Sequence, residues 1–446
     1  MNVKDIIESG RMSWRQVAAI AITVCLNALD GFDVLSSAFA GPGIKAEWGL
    51  KPDGLGAVLS MELIGMGIGS LLLGGTADKI GRRPTILACL VFMAFGMFMA
   101  TTADSPQALS VWRVITGFGI GGMLAATNAV VNELSNAKNR SFAMAMMVIG
   151  YPLGAYIGGL IAASLLTTHD WRAVFMFGAI MTSIMLPLVI LFVPETPAFL
   201  NQRRPAGALE KINKTFAKFG HQTLAALPPL APAEAKARLS DIFSPALIRT
   251  TMILSIGYSF HALTFYFILK MAPSIIADPQ FAGQHFTRPQ GASVLAYANL
   301  GGAVGGAVFG WFMHKFGIKR STQVALFMSF VLVAWFGTGQ TTLSGWTVAV
   351  FCVGLFTNAA IVGYYSAFGA GFPTHVRATG TGFALSIGRG GAALSPNLAG
   401  ILFAGNLGLM KVSIIMAIGS LISLFLFSRL SLDDGKAQSG SASPSI

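Results

Sequence analysis

The sequence predicts an all-α polytopic membrane protein: twelve transmembrane helices in two pseudo-symmetric halves of six. Three observations carry this reading. Of 446 residues, 54% are hydrophobic and only 11% are charged, against roughly 25% charged in a soluble domain. Twelve apolar segments follow one another, each near the ~20 residues that cross a hydrocarbon core. A basic, glycine-bearing loop recurs after the second and eighth segments, 236 positions apart. The short alternating strands of a membrane β-barrel are missing from the pattern.

The segments fall near residues 16–42, 55–75, 84–102, 107–132, 141–166, 171–193, 248–277, 290–313, 321–340, 345–372, 380–404 and 409–429. Of 30 Lys and Arg, 22 lie in the termini and the even-numbered loops, eight of them between Arg203 and Arg249. Five lie on the other side: Lys45, Lys51, Arg172, Arg288 and Lys411. Such a bias places both termini in the cytoplasm. It also accounts for the net charge of +12 without a nucleic acid partner. The first segment is too long for a cleavable signal peptide. The chain divides into a first half (1–193), a polar, basic linker (194–247), a second half (248–430) and a low-complexity tail (431–446) expected to be disordered. The linker holds a short amphipathic helix around Ala206–Phe219. Cys25, Cys89 and Cys352 read as small buried hydrophobes within helices. No cofactor, metal or enzyme motif is expected: there is no Gly-rich GK[ST] loop and no metal-ligand spacing.

The halves repeat. GGTADKIGRRP contains Gly74, Asp78, Gly81, Arg82 and Arg83, and GWFMHKFGIKR contains Gly310, His314, Lys315, Gly317, Lys319 and Arg320. Arg140 and Arg377, 237 apart, each precede a helix rich in small residues. Parallel six-helix repeats build many secondary transporters, with the site near the midplane between them. The pattern G-x-x-x-D-K-x-G-R-R resembles the signature loop of the major facilitator superfamily. RVITGFGIGG, from Arg113 to Gly122, is similar to that superfamily's Arg-and-glycine motif. DGFD (Asp30 to Asp33) and FPTHVRATGTGFALSIGRGGA around the eleventh segment resemble the aromatic acid:proton symporter family. PETPAFL, Pro194 to Leu200, resembles the end of helix 6 in both this family and sugar porters. The resemblance implies import of an aromatic or hydroaromatic carboxylate with a proton, by alternating access. It also implicates the DGFD acids, Arg389 and the regions of Glu133 and Arg377 in transport. The expected partners are the small organic anion, protons and membrane lipid, around a monomer.

Charges inside a membrane are expensive and usually line a functional cavity. With a helical rise of ~1.5 Å per residue, Asp30 lies roughly 21 Å from the cytoplasmic end of the first helix and Asp33 roughly 26 Å. At i and i+3 the two share a face. Arg113 lies roughly 9 Å down from the opposite side, level with Asp30, and is expected to pair with Asp30 or Asp33. Such an acid, raised by low dielectric and lowered by the Arg, can take and release a proton. Glu62, roughly 10 Å below the outer surface, is an extra proton site, a partner for Lys270 or a group in a polar seam.

Arg389, near the midplane of helix 11, offers a bidentate fork to a substrate carboxylate. Lys270 either joins it or snorkels to the outer surface. Tyr266, Tyr364, Tyr365 and Phe368 are candidates to stack on an aromatic ring, against the commoner reading that membrane Tyr residues pack or sit at interfaces. Gly74, Asp78, Gly81, Arg82, Arg83, Glu133, His314 and Arg377 form a gating set, with Asp78 placed to interact with the macrodipole of the following helix. A sugar or hexuronate-like symporter, a drug antiporter, a non-transporting sensor and sodium coupling are the competing readings.

Overall fold

A computed structural model of the chain describes residues 3–229, 238–282, 285–373 and 375–431. The tail from residue 432 and linker residues 230–237 lie outside that set. Among the described residues there are helices and no strands. The long helices are α1 (Trp14–Trp48), α2 (Pro52–Leu73), α3 (Arg82–Ala100), α4 (Pro106–Leu134), α5 (Arg140–Thr168), α6 (Arg172–Phe192), α7 (Ile248–Ile276), α8 (Arg288–Phe316), α9 (Ile318–Phe336), α10 (Leu343–Gly371), α11 (Arg377–Ala404) and α12 (Leu409–Ser428). Ten of the spans are long and apolar enough to cross a membrane. Against the twelve expected, α9 and α11 fall short of that composition: α9 opens on Lys319 and Arg320, and α11 carries Arg377, Arg389 and many glycines.

Helix ends follow local chemistry. The Ser13 hydroxyl accepts from Gln16 N at 3.3 Å while the Gln16 side chain accepts from Ser13 N at 2.9 Å, a reciprocal cap at the start of α1. Thr287 and Gln290 repeat the device on α8. Ser105 and Thr342 cap α4 and α10. Proline sits inside α1, α5, α6, α7 and α11 without ending them, as membrane helices tolerate. In the linker, Pro197–Arg203 and Ala208–Phe219 are helical. The second buries Ile212, Phe216 and Phe219. Outward faces carry Leu71, Leu191 and Phe425, each more than half exposed, which suits hydrocarbon and not water.

Helices α1–α6 and α7–α12 meet through α2 on α11, α5 on α8, and α1 on α7 and α8. The contacts gather at the end away from the signature loops. There Gly56 lies on the Pro396 carbonyl and Gly400 on Pro52. Lys45 pairs with Asp278, and the Tyr156 and Tyr297 rings lie 5.7 Å apart. Of the cysteines, Cys89 is buried and Cys352 half-buried. Cys25 departs from the expectation: it is exposed on the surface of α1.

Candidate functional site

The site grows from a close approach of α2 and α4. A side chain on Gly117 would begin 2.0 Å from the Glu62 carbonyl, and one on Gly121 2.3 Å from the Met66 carbonyl. Glycine at this spacing lets two backbones touch. Arg113, one turn before Gly117 on the same face, is thereby brought onto Glu62.

Both side chains are fully buried, with Arg113 Nη2 2.6 Å from Glu62 Oε2. The same oxygen accepts from Lys270 Nζ of α7 at 3.0 Å and from the Ser37 hydroxyl of α1 at 2.9 Å. Lys270 Nζ also donates to the Val34 carbonyl. One carboxylate therefore holds two cations, and one of its bonds crosses from the first group of six helices to the second. Lys270 does not snorkel: it is fully buried. Arg113 also donates to the Asp33 main-chain carbonyl at 2.9 Å, and its guanidinium lies 5.0 Å from the Phe175 ring. The expected pairing of Arg113 with the Asp30 or Asp33 carboxylate is thus corrected. The glycine seam of α4 faces α2, so the acid that Arg113 meets is Glu62.

Asp30 and Asp33 are both buried. Asp33 Oδ2 accepts from the Thr182 hydroxyl of α6 at 3.4 Å. Asp30 Oδ1, Asp33 Oδ1 and Glu62 Oε1 make no hydrogen bond to the protein. Arg389 lies within electrostatic reach of Asp30, Tyr258 and Tyr266. Its Nη1 donates to the Met66 carbonyl at 3.3 Å. It is half-buried and has no ion-pair partner among the described residues.

The tyrosines separate. Tyr266 lies beside Tyr151 at the boundary between the two groups of helices. Tyr365 is 43% exposed, with its ring 6.2 Å from that of Tyr258. Tyr364 and Phe368 are packed in the second hydrophobic core, where the Tyr364 hydroxyl meets the Ser423 hydroxyl at 2.6 Å. Tyr258, which composition did not single out, packs in the same core, its ring 5.5 Å from that of Tyr364 and 5.6 Å from that of Phe368.

At the signature loop, Arg82 Nη2 reaches Glu133 at 2.8 Å and Asp78 at 3.2 Å, and its Nη1 donates to the Ala77 carbonyl at 2.9 Å. Asp78 lies in the short helix Ala77–Ile80, where it is exposed on its side chain. Sequence reasoning used PETPAFL only as support for the sugar-symporter alternative and gave its residues no structural role. Glu195 accepts from the backbone N–H of Arg82 and Arg83, at 3.0 and 3.3 Å, and so caps α3. Thr196 donates to Glu133. Burial holds the Glu195 carboxyl above the usual carboxylate range, against the lowering by the backbone N–H groups of Thr196, Arg82 and Arg83 and by the Arg82 charge. Gly81, at φ 117°, leaves room for that carboxylate: a Cβ would begin 2.2 Å from Glu195 Oε2. Gly74 closes α2. In the second copy His314 is exposed and Arg377 donates to the Phe372 carbonyl at 3.3 Å. Among the described residues no ion pair joins two groups within α7–α12, and no cluster could hold a metal ion.

Comparison with known proteins places this architecture. Solved structures of similar fold include the xylose transporter XylE from E. coli in a partially occluded inward-open conformation, at TM-score 0.72 and 15% identity, covering 95% of this chain and 100% of that one. Among curated proteins, the gallate transporter of Pseudomonas putida is 29% identical, over 92% of this chain and 90% of its own. The 4-hydroxybenzoate transporter PcaK of the same species is 26% identical, over 88% of each. The 3-(3-hydroxy-phenyl)propionate transporter of Escherichia coli is 27% identical, over 90% and 91%. The family model of the Major Facilitator Superfamily matches residues 21–396, and the chain belongs to that superfamily.

Proposed function

We propose that this transporter, which is not an enzyme, imports an aromatic or hydroaromatic carboxylate together with a proton across the bacterial inner membrane. The observation that carries the reading is Arg389, a half-buried cation with no ion pair among the described residues, which reaches across to the Met66 carbonyl of α2 and lies within electrostatic reach of Tyr258 and Tyr266. A planar guanidinium grips a carboxylate bidentately, and tyrosines present rings with hydroxyl handles. The names of the relatives, all transporters of aromatic acids, support the same substrate class.

In this reading α9 and α11 also span, giving twelve helices in two halves of six, with a linker between and both termini in the cytoplasm. The protein acts as a monomer. The closed end around Lys45 and Asp278 then faces outward and the signature loops face the cytoplasm. Asp30, Asp33 and Glu62 are the proton-coupling carboxylates, with Arg113 setting their field. Lys270 belongs with them more than with the substrate, because its amine is already spent on Glu62 and Val34. A proton on Glu62 weakens its hold on Lys270, the bond that ties the halves on this side. Arg82, Arg83, Glu133 and Asp78, with His314 and Arg377 in the second copy, guide the swing of the opposite side.

The test is uptake into proteoliposomes of labelled hydroxybenzoates, gallate, quinate, a hexuronate and a neutral hexose, each with and without an inward proton gradient. Gradient-driven uptake of an aromatic acid, not replaced by a sodium gradient, is the expected result. Uptake of only the hexuronate or hexose sinks the assignment.

A further inference from the structure

Away from the transport site, a cleft of about 620 Å³ opens at the edge of the apolar belt, between the start of α1, the first turn of α3, the end of α6 and the linker helix Ala208–Phe219. One wall is hydrocarbon-like: Leu191 is 71% exposed and Trp14 66%. The facing wall is a stripe of exposed cations, Lys211, Lys214 and Lys218. Their spacing of three and four puts them on one helix face, while Ile212, Phe216 and Phe219 bury the other. Arg15 and Arg83 complete the lining. Arg15 lies 5.4 Å from the Trp14 ring, and neither it nor the three lysines has an ion-pair partner among the described residues. The one acid of the cleft, Glu195, is already engaged by backbone N–H groups.

We propose that this cleft binds an anionic phospholipid, with its phosphate and headgroup between Arg15 and the lysine stripe and its acyl chains along the end of α6. Charge complementarity selects the anion: five cations face one spent carboxylate. The apolar wall selects a lipid over a free phosphate, because the cleft runs without interruption from the cations onto side chains that face hydrocarbon. Basic amphipathic helices beside a membrane gather anionic headgroups for this reason. The site adjoins the gating loop, since Arg83 both lines the cleft and donates its backbone N–H to Glu195. Lipid bound here therefore steadies the first turn of α3. The proposal needs only that the chain sits in a membrane, not the substrate assignment.

The experiment is native mass spectrometry of the full chain released from nanodiscs of equal phosphatidylglycerol and phosphatidylcholine. The expected result is one retained phosphatidylglycerol per chain, at least tenfold over phosphatidylcholine. Lys211→Gln/Lys214→Gln/Lys218→Gln should lose that preference. The matching Lys→Arg triple variant should keep it. So should Lys4→Gln/Lys138→Gln/Lys315→Gln, which removes the same charge from elsewhere on that side. Equal retention of the two lipids, or equal loss in both Gln triples, overturns the proposal. With the unmodified protein, short-chain phosphatidylglycerol should raise the melting temperature where glycerol phosphate at the same concentration does not. Equal effects of the two would reassign the cleft to a free phosphate and overturn the lipid proposal.

Discussion

Lys270→Met separates the two tasks of the buried charge cluster. Methionine keeps the unbranched stem, one atom shorter, and removes the charge. The change deletes one charge-assisted hydrogen bond between α7 and α2, Lys270 Nζ to Glu62 Oε2 at 3.0 Å, and a second to the Val34 carbonyl. Hydrogen bonds to charged groups contribute ~1.5–3 kcal/mol. Glu62 keeps Arg113 at 2.6 Å and Ser37 at 2.9 Å, so no carboxylate is left stranded. The burial cost of the amine also disappears. The net effect therefore sits at the lower end, ~1.5 kcal/mol, or about tenfold in the ratio of closed to open forms at this end. The assay uses a background without cysteine and a single Ser274→Cys reporter. Ser274 is 6% exposed and lies beside Gly41 at the closed end. Labelling by a membrane-impermeant maleimide should run about tenfold faster in the Met variant, with proton-driven accumulation impaired. Unchanged labelling together with normal accumulation would refute the idea that this ion pair ties the halves.

Other outcomes follow from the same geometry. Arg389→Ala should abolish aromatic acid uptake while the protein remains monodisperse, and Arg389→Lys should raise KM by tenfold or more through loss of the bidentate fork; normal KM in both would remove Arg389 from the site. Asp33→Asn should leave counterflow exchange intact and remove gradient-driven accumulation, measured in proteoliposomes. Gly81→Ala must hold a side chain at φ 117° and push against the Glu195 carboxylate, which should cost ~1–3 kcal/mol and lower the thermal midpoint. Tyr364→Phe removes only the contact with Ser423, so it should cost ~1 kcal/mol of stability with KM unchanged; a raised KM would return Tyr364 to the substrate site.

The sequence by itself determined the class of the molecule. Hydrocarbon admits only backbone that satisfies its own hydrogen bonds, so apolar segments near twenty residues had to become helices. Two basic, glycine-bearing loops recur 236 positions apart, a repeat legible in the residues alone. The sequence also marked the rare intramembrane charges, because depth follows from counting residues. Arg113 at roughly 9 Å and Glu62 at roughly 10 Å already stood at matching depths. Tertiary structure decided which charges touch. Depth says nothing about rotation, and the face that α4 turns to α2 is set by where Gly117 and Gly121 let the backbones close. That contact moved Arg113 from the DGFD acids to Glu62. Packing of α7 against α1 then brought Lys270 in as the third member. Glu195 was invisible for a similar reason: its partners are backbone N–H groups more than 110 positions away, and backbone groups leave no residue-type signal. Tyr364 and Tyr365 are neighbours of one residue type, yet consecutive helical positions differ by about 100° of rotation, so one is buried in the core and the other is 43% exposed.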